Sequence, residues 1–133
     1  MLLNSIGVAL GGCLGAMSRY GISSLINQRY KGMFPLATCC INILGCFLLG
    51  VLTSSSLAPF FIVMAGTGFM GAFTTFSTCK WESYSLFTSK RYQIGFIYLL
   101  ISYSVGILSA ALGMLLGGTF VIFKIVLGIA FSF

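Results

Sequence analysis

The sequence predicts an all-α membrane protein, a single domain of four transmembrane helices with the third one broken midway. Three observations carry that expectation. Of 133 residues, 59% are hydrophobic and only 6% charged, whereas a soluble domain needs roughly 25% charged residues on average. The apolar stretches recur at span length between short polar turns, and a hydrocarbon core about 30 Å thick takes roughly 20 helical residues to cross. The third stretch is too long for one straight crossing, and its middle is rich in glycine and hydroxyl residues.

The first expected span covers residues 2–27. It has no basic start and no small-residue cleavage site, and its apolar run exceeds the roughly 7 to 15 residues of a signal peptide, so it is expected to stay in the membrane. Residues 28–33 hold Arg29, Lys31 and Gly32 and read as a polar turn. The second span covers residues 34–53. The third begins near Leu57, after Ser54, Ser55 and Ser56, and continues to Thr88; as one straight helix it would be about 48 Å long at 1.5 Å per residue.

Its middle reads Gly66-Thr67-Gly68-Phe69-Met70-Gly71-Ala72-Phe73-Thr74-Thr75-Phe76-Ser77-Thr78, and glycine and threonine lower helix propensity. A break is expected near residues 71–76. Non-helical backbone at that depth is tolerated only where protein or a water-filled cavity satisfies it, so a break implies a site. The competing reading is an ordinary helix whose Ser and Thr hydroxyls bond back to i−4 carbonyls.

The fourth span covers residues 93–117, with small residues at Ser102, Gly106, Ala110, Gly113 and Gly117; the first repeats the pattern at Gly7, Gly11 and Gly15. Such spacing lets helix backbones approach closely in lipid. The tail, residues 119–133, is apolar apart from Lys124 and too short for a fifth crossing. It is expected to extend the fourth helix or to lie in the interface.

The five cysteines, Cys13, Cys39, Cys40, Cys46 and Cys79, fall in apolar segments without zinc or disulfide-framework spacing. They read as small packing residues. The net charge of +6 comes from scattered basic residues rather than a stripe, which argues against nucleic acid. Arg19, Arg29, Lys31, Lys80, Lys90 and Arg91 fall toward one membrane face and Lys124 alone toward the other. The positive-inside rule then places both termini outside. With no histidine and one carboxylate, the chain lacks a general acid and base pair, so it is not expected to be an enzyme.

Several blocks converge on one family. Gly11-Gly12-Cys13-Leu14-Gly15-Ala16-Met17-Ser18-Arg19-Tyr20, then Pro35-Leu36-Ala37-Thr38 with Asn42-Ile43-Leu44-Gly45, then Gly71-Ala72-Phe73-Thr74-Thr75-Phe76-Ser77-Thr78 followed by Glu82 together resemble the CrcB/Fluc fluoride channels of the plasma membrane. Their order and spacing match along roughly residues 5 to 117. The resemblance implies a subunit that pairs with an antiparallel partner, builds two narrow anion pores and holds a structural sodium ion at the dimer centre. The backbone carbonyls of Gly71 and Thr74 would hold the sodium. Asn42 and Phe76 would line the anion path, with Ser77 and Thr78 nearby, Tyr98 and Ser102 as a polar track beside it, and Arg19 at the pore mouth.

Read from chemistry alone, these residues keep alternatives. Asn42 in an apolar span is either an interhelical clamp or a site. Phe76 can face lipid or core, or turn its positive ring edge to an anion; a weak ligand of that kind suits conduction, because an ion must also leave. Arg19 can snorkel as an anchor. Tyr98 and Ser102 share a helix face and can serve as an interhelical hydrogen bond. Glu82 reads as a charge partner near Lys80 at the membrane edge, or as a group in ion access.

Two departures stand out. The family pattern continues as TTFSTF, with a second phenylalanine where this chain has Cys79, so the aromatic box is incomplete. Homodimers of the family carry nearly balanced Lys and Arg, whereas here the division is six to one. Both point to half of a heterodimer with one competent pore, against a homodimer that tolerates the cysteine. The alternatives in function are a non-conducting subunit that completes a partner's pore, and a small multidrug exporter. The exporter needs a carboxylate in the first span, which has none.

Overall fold

The structure is a computed structural model that describes the backbone of residues 2–130 and the side chains of residues 2–119. Helix α1 spans Leu2–Arg29 and α2 spans Leu36–Ser54. The third stretch opens with α3, Pro59–Ile62, widens into a π-helix at Val63–Met70, and closes with α4, Gly71–Phe73. After Thr74 and Thr75 it resumes as α5, Phe76–Thr88, and α6 runs from Tyr92 to Ala130. The tail therefore continues α6 past residue 117 as far as Ala130; residues 131–133 lie outside the described residues.

Small residues set the packing, as their spacing requires. A methyl group at Gly11 would collide with the Met64 carbonyl, and one at Gly113 with the Phe47 carbonyl, so both backbones meet at a distance only glycine permits. The register shows direction. Gly7, Gly11 and Gly15 of α1 meet Phe60, Met64 and Phe69 in turn, while Gly113 and Gly117 of α6 meet Phe47 and Val51. Partner numbers rise together in both cases, so α1 runs parallel to the third stretch and α2 runs parallel to α6.

Among the described residues, three stretches are long and apolar enough to cross a bilayer: Leu36–Ser54, Pro59–Thr88 and Tyr92–Thr119. That is one fewer than the four expected from sequence. Helix α1 has 28 residues, which is long enough, but its second half holds Arg19, Ser23, Ser24, Asn27 and Gln28, which lower its apolarity. The chain is a multi-pass, all-α membrane protein. Its side-chain core is small: Cys39, Cys79, Leu86 and Tyr98 cluster, with Phe34, Ile43, Ile94 and Ile101 packed around them. Tyr98 is fully buried, and its ring meets Phe34 edge-on at 5.5 Å between centroids. Much of the remaining apolar surface faces outward, as expected where lipid is the solvent.

The α5–α6 turn is a Schellman motif. Lys90 N–H donates to the Phe87 carbonyl at 3.0 Å and Arg91 N–H to the Leu86 carbonyl at 2.9 Å, which caps the last carbonyls of α5. Lys90 takes the left-handed position with φ 58°.

Candidate functional site

The interruption is built by an amide. Asn42 on α2 donates from Nδ2 to the Thr75 carbonyl at 3.0 Å, and its Oδ1 accepts from the Thr75 N–H at 2.9 Å. One side chain thus satisfies both peptide groups of a non-helical residue, as a neighbouring strand would. Thr74 and Thr75 are extended, with φ −79°, ψ 157° and φ −146°, ψ 111°. Because the Thr75 N–H is drawn to Asn42, the Gly71 carbonyl loses its usual i+4 donor.

Thr75 also starts the next helix. Its hydroxyl accepts from the Thr78 N–H at 3.3 Å and lies 2.9 Å from the Thr78 hydroxyl, an N-cap that satisfies one orphan donor of α5. The Thr74 hydroxyl instead donates back to the Met70 carbonyl at 2.9 Å. Of two adjacent threonines, Thr75 thus leaves the helical ladder while Thr74 bonds back into it. The non-helical stretch is shorter than the expected 71–76 and begins later: Gly71 is helical, at φ −62° and ψ −32°. Just before the break the ladder is absorbed by π-helix rather than by unwinding, and π-turns are frequent at functional sites.

Beside the break lies a mostly apolar cleft of about 380 Å³. Asn42, Gly71, Thr74, Phe76, Cys79 and Ser102 all line it, so six residues singled out from sequence meet at one place. A methyl group on Gly45 would fall on the Thr74 side chain, which is how α2 comes close enough for Asn42 to reach Thr75. Phe76 is 63% exposed at the mouth of α5, with the Lys80 ammonium 5.6 Å from its ring centroid, within cation–π range.

Other sequence-chosen residues lie elsewhere. Ser77 and Thr78 are exposed and belong to the Thr75 hydroxyl cluster. Arg19 is half-buried on α1, away from the lining. Tyr98 sits one turn before Ser102 but is buried behind the cleft, and the Ser102 hydroxyl donates to Cys39 Sγ at 3.7 Å.

Glu82 departs from its reading as a partner of Lys80. Its Oε1 accepts from the Thr38 hydroxyl and its Oε2 from the Tyr98 hydroxyl, each at 2.8 Å. The only carboxylate of the chain thus ties α2, α5 and α6 together. The sequence alone assigns Thr38, Thr75 and Glu82 no such roles. A signal existed for Thr75, a hydroxyl residue at the start of a renewed helix; none existed for the Thr38–Glu82 pair, 44 residues apart.

Among the described residues no three His, Cys, Asp or Glu side chains group together as ligands. Backbone oxygens are available instead: the Gly71 carbonyl has lost its helical donor, and the Thr74 carbonyl sits in extended backbone. Hard cations prefer oxygen ligands of this kind.

A family model described as CrcB-like protein, Camphor Resistance (CrcB), matches residues 6–114. The chain belongs to the CrcB family. Among its relatives, "Fluoride-specific ion channel FluC 1" of Listeria monocytogenes is 51% identical over 117 residues, covering 88% of this chain and 99% of that protein. "Fluoride-specific ion channel FluC 2" of Bacillus cereus is 49% identical over the same length, with the same coverage. A Geobacillus kaustophilus protein, "Fluoride-specific ion channel FluC 1", is 46% identical over 110 residues, covering 83% of this chain and 94% of that one. The CrcB match includes most of α1, the interruption and α6 as far as residue 114.

Proposed function

We propose that this chain is a subunit of a fluoride-selective channel that lets the anion leave the cytoplasm down its electrochemical gradient. The observation that carries the reading is the cleft at the Thr74–Thr75 break, where the Phe76 ring, the Asn42 amide and Ser102 converge, in a family whose relatives are named fluoride-specific ion channels. A small hard anion must exchange its water for close polar contacts and still be released. Amide and hydroxyl donors supply the contacts, and a phenyl edge, positive but weak, supplies the release. The protein is a channel subunit and not an enzyme.

The chain crosses the membrane four times in this reading. From Gly7 to Gly15, helix α1 lies parallel to and against the third stretch, so it enters the same depth, and Asn42 and the cleft then fall within the hydrocarbon. Both termini face outward, with six basic residues inside against one outside. The cleft, with Gly71 and Phe76 exposed at it, would be closed by a second, antiparallel subunit. Gly71 and Thr74 would hold a sodium ion by their carbonyls, with the matching pair from the second subunit. Such an ion would supply fixed positive charge at the dimer centre.

The test is fluoride efflux from liposomes reconstituted with the purified chain, with chloride as control. Fluoride release without chloride release is expected. Tight vesicles, whether this chain is alone or with a homologous subunit, would overturn the reading.

A second reading concerns the partner. Cys79 is buried and lines the cleft where the family pattern has a phenylalanine, and the charge bias favours one insertion direction. Relatives also carry the paired names FluC 1 and FluC 2. A heterodimer with an inverted homologue, this chain contributing one competent pore or only completing the partner's, accounts for all three. Crosslinking in membranes after expression alone discriminates: antiparallel homodimers that conduct fluoride would remove it.

A further inference from the structure

The outer face of α1 changes character along its length. Ile6, Leu10, Leu14 and Met17 are all exposed at three- and four-residue spacing, so they form one apolar stripe. At Tyr20 the stripe turns polar. Tyr20, Ser23, Ser24, Asn27, Gln28 and Lys31 line a cleft of about 420 Å³ at the end of α1 that carries a basic loop.

That cleft lacks an internal counter-ion. The chain has seven Lys and Arg residues against one carboxylate, and the carboxylate, Glu82, already accepts from Thr38 and Tyr98. No acidic side chain of this chain is therefore left to pair with Lys31. Gln28 Nε2 donates to the Ser24 hydroxyl at 3.2 Å, which leaves the Ser24 proton to donate elsewhere. Hydroxyl and amide donors around a single ammonium group suit a phosphate ester, which offers several acceptor oxygens and a negative charge.

We infer that this cleft seats the headgroup of an anionic phospholipid, with its phosphate at Lys31 and an acyl chain running past Tyr20 onto the Met17 and Leu14 end of the stripe. Continuity with the stripe selects lipid over free phosphate, because only a lipid gains from the apolar surface. The basic loop lies on the side that the positive-inside rule assigns to the cytoplasmic leaflet, where anionic lipid is enriched.

The test is lipid retention by the full chain in mild detergent, measured by native mass spectrometry after adding phosphatidylglycerol or phosphatidylcholine. Phosphatidylglycerol is expected to be retained preferentially. Lys31→Gln lowers that retention about fivefold, the effect of one lysine at an anionic surface, while Arg91→Gln, an equal loss of charge elsewhere, leaves it in place. Equal losses from both substitutions would reduce the effect to general charge attraction and overturn the site, as would indifference between the two lipids. Displacement by excess inorganic phosphate would identify a free-anion site instead. Fluoride efflux is not the readout, so each outcome leaves the channel reading to its own test.

Discussion

Replacing Asn42 with alanine removes the side chain that holds both peptide groups of Thr75, with bonds of 3.0 and 2.9 Å. In water, each orphaned group would cost about 1–3 kcal/mol. In a membrane the alternative is different: the Thr75 N–H can return to the Gly71 carbonyl and rejoin the helix. What is lost is the preference for the broken form. Interhelical hydrogen bonds in bilayers contribute about 0.6 kcal/mol on average and up to roughly 1.7, so two bonds contribute about 1–3 kcal/mol. This shifts the balance between open and closed backbone roughly 5- to 150-fold. The backbone chemical shifts of Thr74 and Thr75, read by solid-state NMR in lipid, are expected to move from extended toward helical values in Asn42→Ala, and fluoride efflux to fall at least about fivefold. Asn42→Asp, which can accept from the Thr75 N–H but loses the amide donor, should be intermediate in the shifts. If Thr74 and Thr75 keep extended shifts without the amide, the clamp does not make the break and the reasoning fails.

Other substitutions test neighbouring parts of the structure. Tyr98→Phe leaves Glu82 Oε2 without its donor and should destabilise the folded chain by about 1–3 kcal/mol in denaturant titration; in a Glu82→Gln background the same change should cost measurably less, because the two groups are coupled. Gly11→Ala drives a methyl group into the Met64 carbonyl and is expected to cost about 1–3 kcal/mol, seen as a lower melting temperature in detergent, while Gly21→Ala, with open space around it, should be neutral or slightly stabilising. Lys90→Gly relieves a left-handed backbone at φ 58° and should stabilise the α5–α6 turn by up to about 1 kcal/mol, unless melting curves of the two proteins coincide.

Solvent and spacing are local properties, and they were legible. Low charge and apolar runs of span length dictate a bilayer, and glycines four residues apart, at 7, 11 and 15, dictate close helix packing because they recur on one face. The convergence of Asn42, Thr74, Phe76 and Ser102 was legible only through the family pattern, since they lie on three different helical stretches. The tertiary structure decided which carbonyl loses its donor, because that depends on an amide 33 residues away. It likewise decided that Glu82 serves Thr38 and Tyr98 rather than nearby Lys80. Helical periodicity reports which face a residue occupies, whereas a buried polar group takes whichever partner the packing of other helices brings within about 3 Å, and no spacing within a single helix contains that information.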